Sequence, residues 1–406
     1  MGNSNIDWEY LPKHCLFMIL ERIDTLMVSK VSFGAVSRHW HSVFNAFLDH
    51  KRRSSRNPVP LLLILSSEES IIYSLQTKSK VSEIEFPKSC TWRCYGSCYD
   101  WLVTVDERLI ITLSNPFKKV SSISLPHFDV LSIVNYRYQI VKVVLSDDPL
   151  LHPDDYLVVI IYNPHNRLAI LKSGQKYWTH IETGEVGFTD VIFHKSLVYA
   201  IGQWNSFGFI DVSGLRSGET SWSPKFKLLV PDNRYTRSYL VESSMGNLYC
   251  IQRSVRNYDL LNSRGMIYFE GPRCINDPEV LSEVGTPCFT KRFRVFKLVL
   301  DDENGELLEK KEVNHMDGDI VFVGNNGTLA VSALDFPEGQ PDSIYFTDDN
   351  FTDEVQYEPF GPQDNGIFHL KHINFEKYYQ FKSSDKDHPP YIWILAPDHF
   401  KLTLSN

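Results

Sequence analysis

No apolar run in this chain reaches the roughly eighteen residues that a membrane-spanning helix needs, and no secretory apolar segment opens it. Neither a membrane anchor nor a cleaved leader is expected. Basic charge is short as well: 41 Lys and Arg face 50 Asp and Glu, a formal net charge of -9. Phosphate backbones are gripped by clustered cations, so this balance argues against a general nucleic-acid binder. Cysteine is sparse and odd in number, seven in 406 residues, as in an intracellular protein, nuclear or cytoplasmic, with reduced thiols. The sequons Asn326-Gly327-Thr328 and Asn350-Phe351-Thr352 are then expected to stay unmodified. Met1-Gly2 does not read as a myristoylation signal, because Ile6 stands where Ser or Thr is wanted. Also missing are a Gly-x-Ser-x-Gly elbow, a His-Glu-x-x-His helix and a phosphate-cradling glycine loop. No catalytic residue and no cofactor is predicted, and the chain is not expected to be an enzyme.

What metal-like spacing there is does not carry a site. Cys90, Cys94 and Cys98 recur every four residues, whereas zinc sites favour Cys-x-x-Cys pairs, and period four needs a helix in strand-like surroundings. Buried structural thiols are the better reading. His39 and His41 flank Trp40 on adjoining helix faces and read as a solvated surface rather than a ligand pair. In Asp301-Asp302-Glu303-Asn304-Gly305-Glu306, placing Gly305 at the sixth position of a calcium loop puts Leu300 first, where an Asp is required. That segment reads as a hairpin turn.

The chain has apolar content enough for a large core, 43% hydrophobic with 13% aromatic residues. Two regimes divide it. In the first fifty residues apolar positions follow a helical period: Leu16, Ile19, Leu20 and Ile23, then Phe33, Val36, Trp40, Val43, Phe44 and Phe47. Pro12 suits the first turn of the leading helix, and Asp24, Thr25 and Ser29 offer caps for an intervening turn and a short middle helix. Three helices this short make a poor domain alone, and Phe17, Met18 and Met27 leave apolar surface outside the stripes. The element is expected to complete its core on a partner, or else on the rest of its own chain.

The basic run His50-Lys51-Arg52-Arg53-Ser54-Ser55-Arg56-Asn57-Pro58 marks the change of regime, as a solvated linker rather than an import signal. Beyond it the period is that of strands, among them 61–65, 71–73, 101–103, 109–111, 156–161 and 391–395, bounded by Gly, Pro, Asn, Asp or Ser. Asn304-Gly305 and Asn326-Gly327 mark two hairpins, joining 293–300 to 307–313 and 320–323 to 328–331. About two dozen strands and no helix are expected, too many for one twisted sheet. Four-stranded blades of a β-propeller, six or seven of them, hold that number economically. Residues 256–290 are poorest in strand signals and read as a long excursion. Trp92, Trp101, Trp178, Trp204, Trp222 and Trp393 are expected between blades.

Leu11-Pro12, Leu16, Ile19-Leu20, Ile23, Asp24 and then Val36-Ser37-Arg38-His39-Trp40-His41 resemble an F-box, whose pattern is Leu-Pro, Leu-x-x-Ile-Leu, an acidic turn and Val-Cys-x-x-Trp-Arg. Ser37 and His41 depart from it. Downstream, Gly96-Ser97-Cys98-Tyr99-Asp100-Trp101-Leu102-Val103, Leu113-Ser114-Asn115-Pro116-Phe117, Trp178-Thr179-His180-Ile181, Thr189-Asp190-Val191-Ile192-Phe193 and Ser343-Ile344-Tyr345-Phe346-Thr347-Asp348-Asp349 are similar, in order, to plant F-box proteins with a C-terminal kelch-like propeller, the KIB-like group.

The resemblance implies a tail at 1–5, F-box helices at 6–50, a basic linker at 51–58 and a β-propeller at 59–406. It implies the substrate-recognition subunit of a Skp-cullin-F-box ubiquitin ligase. Leu11, Pro12, Leu16, Ile19, Leu20, Ile23, Val36 and Trp40 would dock a Skp-type adaptor, and through it a cullin, while the propeller binds an unknown target protein. Such a subunit works by raising the target's effective concentration near the conjugating enzyme. The alternative is a propeller enzyme or small-ligand binder capped by the helices, with convergent polar residues in its channel.

Overall fold

The structure, a computed structural model, describes residues 11–22, 33–44, 59–64, 71–76, 78–81, 94–129, 139–184, 186–202, 206–219, 222–230, 237–255, 290–324, 327–348, 364–378 and 391–396. Its strands form six sheets, the blades of a β-propeller. Blade 1 contains β1 (Val59–Ile64), β2 (Ile71–Ser74) and β3 (Ser79–Val81); blade 2 runs from β4 (Gly96–Cys98) through β5 (Trp101–Val105) and β6 (Ile111–Ser114) to β7 (Ile123–Ser124). Blade 3 runs from β8 (Ile140–Leu145) through β9 (Leu157–Tyr162) and β10 (Arg167–Lys172) to β11 (Thr179–His180). Blade 4 holds β12 (Phe188–His194), β13 (Leu197–Gly202), β14 (Phe207–Asp211) and β15 (Lys227–Val230), and blade 5 holds β16 (Arg237–Glu242), β17 (Leu248–Val255), β18 (Thr290–Leu300) and β19 (Leu307–Val313). Blade 6 comprises β20 (Asp319–Gly324), β21 (Gly327–Ser332), β22 (Ser343–Phe346), β23 (Gly366–His369) and β24 (Asn374–Glu376). The last strand, β25 (Ile392–Ala396), pairs antiparallel with β1 and so closes the ring with residues from both halves of the chain.

The core is a ring of six apolar clusters, each between two neighbouring blades. Tyr95, Trp101 and Val103 of blade 2 meet Val143, Val158 and Ala169 of blade 3. Tyr239, Ile251 and Phe293 of blade 5 meet Val321, Ile344 and Phe368 of blade 6. Second strands are thus covered on both faces, which explains unbroken apolar runs such as LVVIIY in β9, buried along its whole length. Outermost strands face water, and β19 (LLEKKEV) carries the charges that protect an exposed edge from unwanted pairing. Trp101 and Trp393 are fully buried between blades; their indoles donate to Asp148 Oδ1 and to the Val323 carbonyl, both at 3.0 Å. Trp178 also bridges blades, donating to the Pro126 carbonyl at 3.0 Å, while Trp222 stays within its own blade, on the Asp211 carbonyl. Trp92, Trp204 and the expected excursion at 256–289 lie outside the described residues.

Both hairpins are present, β18–β19 and β20–β21. In the first, Asp301 Oδ1 accepts the backbone N–H groups of Glu303 and Asn304, and Gly305 takes φ +73°. Three features differ from the sequence expectation. The strand expected from Leu109 starts at Ile111, because Asp106 Oδ1 caps the N–H groups of Arg108 and Ile110 and Leu109 turns through φ +57°. A short helix, Ser213–Ser217, interrupts blade 4 and ends at Gly218 with φ +76°. Blade 6 has five strands in the order β21-β20-β22-β23-β24, with β20 parallel to β22, so the chain crosses over between those two strands by way of β21.

Candidate docking module and the propeller face beneath it

Helix α1 (Lys13–Arg22) starts where Pro12 lends its carbonyl to the N–H groups of Cys15 and Leu16, at 2.9 and 3.2 Å. A second helix spans residues 38–44. Ser37 caps it, its hydroxyl accepting the Trp40 N–H at 3.2 Å. The serine that departs from the F-box pattern therefore has a structural task. His39 Nε2 lies 3.0 Å from the Leu11 carbonyl and His41 Nδ1 lies 3.2 Å from that of Gly34. A carbonyl can only accept, so both imidazoles donate, and they tie the module's segments together.

The candidate adaptor residues divide into three groups. Leu16 and Leu20 are fully buried with Phe33, Val43 and Phe44 in the module's own core. Leu11, Ile19 and Trp40 are half-buried at its margin, Trp40 lying 4.4 Å from Phe33 between ring centroids. Pro12 and Val36 face solvent, Val36 at 59% exposure. Ile23 lies outside the described residues. Gly34 permits this packing: a Cβ there would sit 2.8 Å from the Phe44 ring.

The module also rests on its own propeller. Met245, in the β16–β17 turn of blade 5, packs against the helical cluster. Nearby, Asp302 is held below its ordinary pKa, first by its hydrogen bond and charge contact with Lys195 and to a smaller degree by Lys13 of α1. Blade 6 clamps the turn that carries Met245. Asp319 accepts Ser244 N–H at 2.5 Å and Ser244 Oγ at 2.6 Å; Asp317 accepts Ser243 Oγ at 2.8 Å and Asn247 Nδ2 at 2.6 Å. Burial, opposed by the Ser244 bonds and aided by the charges of Asp317 and Asp342, pushes Asp319 up to about 7. The buried Tyr249 hydroxyl is pushed well above its ordinary value, by burial first and then by the same carboxylates.

Among the first strands of the blades, Lys142 pairs with Asp190, whose carboxylate also accepts Val191 N–H at 2.7 Å and Leu240 N–H at 2.8 Å. Gly327 of blade 6 lies opposite, its Cβ position 3.8 Å from Lys142 Nζ. Asp190 thus straps three blades together, with both of its oxygens already accepting hydrogen bonds. Cys94 is buried and donates Sγ–H to the Gly96 carbonyl at 3.0 Å; burial pushes the Cys98 thiol above its ordinary pKa. Both are free thiols, and Cys90 lies outside the described residues. No group of three or more metal-ligating side chains occurs among the described residues, nor does any helix there have the length and apolarity to cross a membrane.

A six-bladed propeller carrying a small helical module that fits an F-box is the class that this geometry defines. The chain belongs to the KIB1-4 beta-propeller family, whose family model matches residues 72–369. It is similar to an Arabidopsis thaliana protein named "Putative F-box protein At5g55150", 26% identical over 304 residues, which cover 72% of this chain and 81% of that protein. Among solved structures it is similar to the Myceliophteria thermophila Cps50 (Swd1) β-propeller domain, at 11% identity and TM-score 0.35, covering 62% of this chain and 70% of that one. It is also similar to the N-terminal domain of Nup159, at 9% identity and TM-score 0.31, covering 83% and 86%.

Proposed function

We propose that this protein is the substrate-recognition subunit of a Skp-cullin-F-box ubiquitin ligase, with the helical module of residues 6–50 docking a Skp-type adaptor and the propeller of residues 59–406 holding the target. The reading is supported most directly by Val36, an apolar side chain 59% exposed on a module whose described core closes over Leu16, Leu20, Phe33, Val43 and Phe44. Pro12 is exposed on the same module. In this reading Pro12, Val36 and the margins of Leu11, Ile19 and Trp40 meet the adaptor, while Leu16 and Leu20 hold the shape. The name of the Arabidopsis relative points the same way. The propeller needs no chemistry of its own, since positioning a target lysine is an effective-concentration effect. The protein would act in the nucleus or cytoplasm, where cullin ligases work.

The test is a titration of the full chain with a Skp-type adaptor. Leu11→Ala with Pro12→Ala should weaken binding by about one to three decades, the loss of a few kcal/mol at two anchors. Undiminished binding by this double variant, or no binding by the parent chain, overturns the assignment. An enzyme reading has no such support among the described residues: the polar pair on the first strands of blades 3 and 4, Lys142 and Asp190, is engaged with itself and with backbone.

A further inference from the structure

Between blades 5 and 6 the propeller rim opens into a groove of about 360 Å³. Its apolar lining is Phe293, Val295 and Val313 of blade 5 with Phe368, Leu370 and Ile373 of blade 6. Ile373 is 62% exposed at the mouth, whereas Phe293 and Phe368 are buried within the inter-blade cluster. The groove is therefore an opening onto the core rather than a stray surface patch.

Two further observations say what fits there. The first is charge. On a chain of net charge -9, the same groove is lined by Arg292, Arg294, Lys311 and His315, with Glu312 as its one carboxylate. Arg294 engages Glu312 through two hydrogen bonds, at 3.0 and 2.5 Å. Arg292 acts on Glu312 only as a minor charge contribution, and the bridge to Glu312 is made by Arg294 rather than by Arg292 or Lys311. Cations set beside an apolar floor attract an anionic ligand and leave it partly desolvated, where charge complementarity sets specificity.

The second is backbone. β19 pairs with β18 only from Leu300↔Leu307 to Val295↔Val313, although β18 begins at Thr290. Along 290–294 no strand flanks β18 on its outer side among the described residues, and Arg292–Val295 line the groove. A strand edge of this kind is what an extended peptide pairs with when it adds itself to a sheet.

Resting on the receptor reading above, we propose that this groove receives an extended acidic peptide of the target protein. One large apolar side chain of the peptide fills the floor between Phe293 and Ile373. Its backbone runs beside Arg292–Arg294, and its flanking anionic groups, carboxylates or phosphates, meet Arg292 and Lys311.

The experiment uses the full chain and fluorescein-labelled peptides followed by anisotropy: one Phe flanked by Asp and Glu, the same with Phe→Ala, the same with Lys flanks, and a phosphoserine version. Saturable binding of the acidic Phe peptide is expected, weaker by about tenfold or more for each control lacking Phe or acidic flanks. Arg292→Glu with Lys311→Glu should weaken it by at least about tenfold. Ile373→Asp, at an already exposed position, should do the same with an unchanged melting temperature. Tighter binding of the phosphoserine peptide assigns the anion to phosphate, and equal or weaker binding assigns it to carboxylate. No saturable binding, equal binding of the Lys-flanked peptide, or indifference to both variants overturns the proposal. No ligase component enters this assay, so a failure here with adaptor binding intact removes the groove alone, and loss of adaptor binding with peptide binding intact removes the ligase reading alone.

Discussion

Arg253 of blade 5 and Asp364 at blade 6 form a buried ion pair, Nη2 donating to Oδ2 at 2.8 Å with the side chains 1% and 8% exposed. Both side chains make further bonds. Arg253 Nε donates to Thr290 Oγ1 at 2.7 Å and Nη1 to the Thr347 carbonyl at 2.9 Å, and the guanidinium lies over Phe293 and Phe346. Asp364 also accepts Thr290 N–H and Oγ1–H, at 2.8 and 2.6 Å.

Asp364→Ala leaves that cation buried without its counter-charge and should cost about 3–5 kcal/mol. Arg253→Met with Asp364→Leu should recover most of the loss, since neither charge then needs solvent. Urea unfolding of both variants checks the pair; equal loss in the two would show that packing, not charge, holds the seam.

The Asp319 carboxyl predicts an acid-side gain in stability. Its folded pKa, about 7, lies above the ordinary carboxylate value of 3.8. Across that window the folded state keeps a proton that the unfolded chain has lost. The contribution is thus complete below about pH 4 and is lost as pH rises through about 7, on the order of 4 kcal/mol in all. Asp319→Asn removes this titration. Unfolding free energies measured from about pH 5 to 8 should fall more steeply for the parent chain than for the variant; parallel curves would refute it.

Gly305 should not tolerate a side chain. Its φ is +73°, and a Cβ there would sit 2.1 Å from Leu197 Cδ1 and 2.8 Å from the Tyr199 hydroxyl, which donates to the Gly305 carbonyl at 2.9 Å. Gly305→Ala is expected to cost about 2–3 kcal/mol, the strain of φ plus a displaced neighbour. Gly174→Ala, at φ +78° with open space around it, should cost only about 1 kcal/mol. Thermal melts of the two variants separate conformation from collision.

In the helical module, Leu20→Ala and Val36→Asp should both reduce adaptor binding, by different routes. Leu20 is fully buried in the module core, so its truncation should cost about 2–5 kcal/mol and expose the module to protease. Val36 is exposed, so Val36→Asp should leave protection unchanged and remove contact alone. Limited proteolysis beside the binding titration distinguishes them; equal protease sensitivity would contradict the division.

The two regimes of this chain were readable from periodicity alone. Helical spacing through Leu16, Leu20, Val43 and Phe44 and strand spacing after Pro58 are local patterns, and local patterns report which face of an element is buried. Asn304-Gly305 likewise announced its hairpin, because a tight turn with positive φ is a property of a few adjacent residues. Tertiary structure decided what depends on distant partners. It placed Leu16 and Leu20 inside and Val36 outside, although all three share the same apolar character, because burial is fixed by what packs above. It set the number of blades at six, paired β20 parallel to β22, and recruited β25 to pair with β1, none of which any repeat in the chain announces. It also joined Arg253 to Asp364 across 111 positions and set Met245 against the helical module. Spacing along a chain carries no record of which faces will meet when the ring closes.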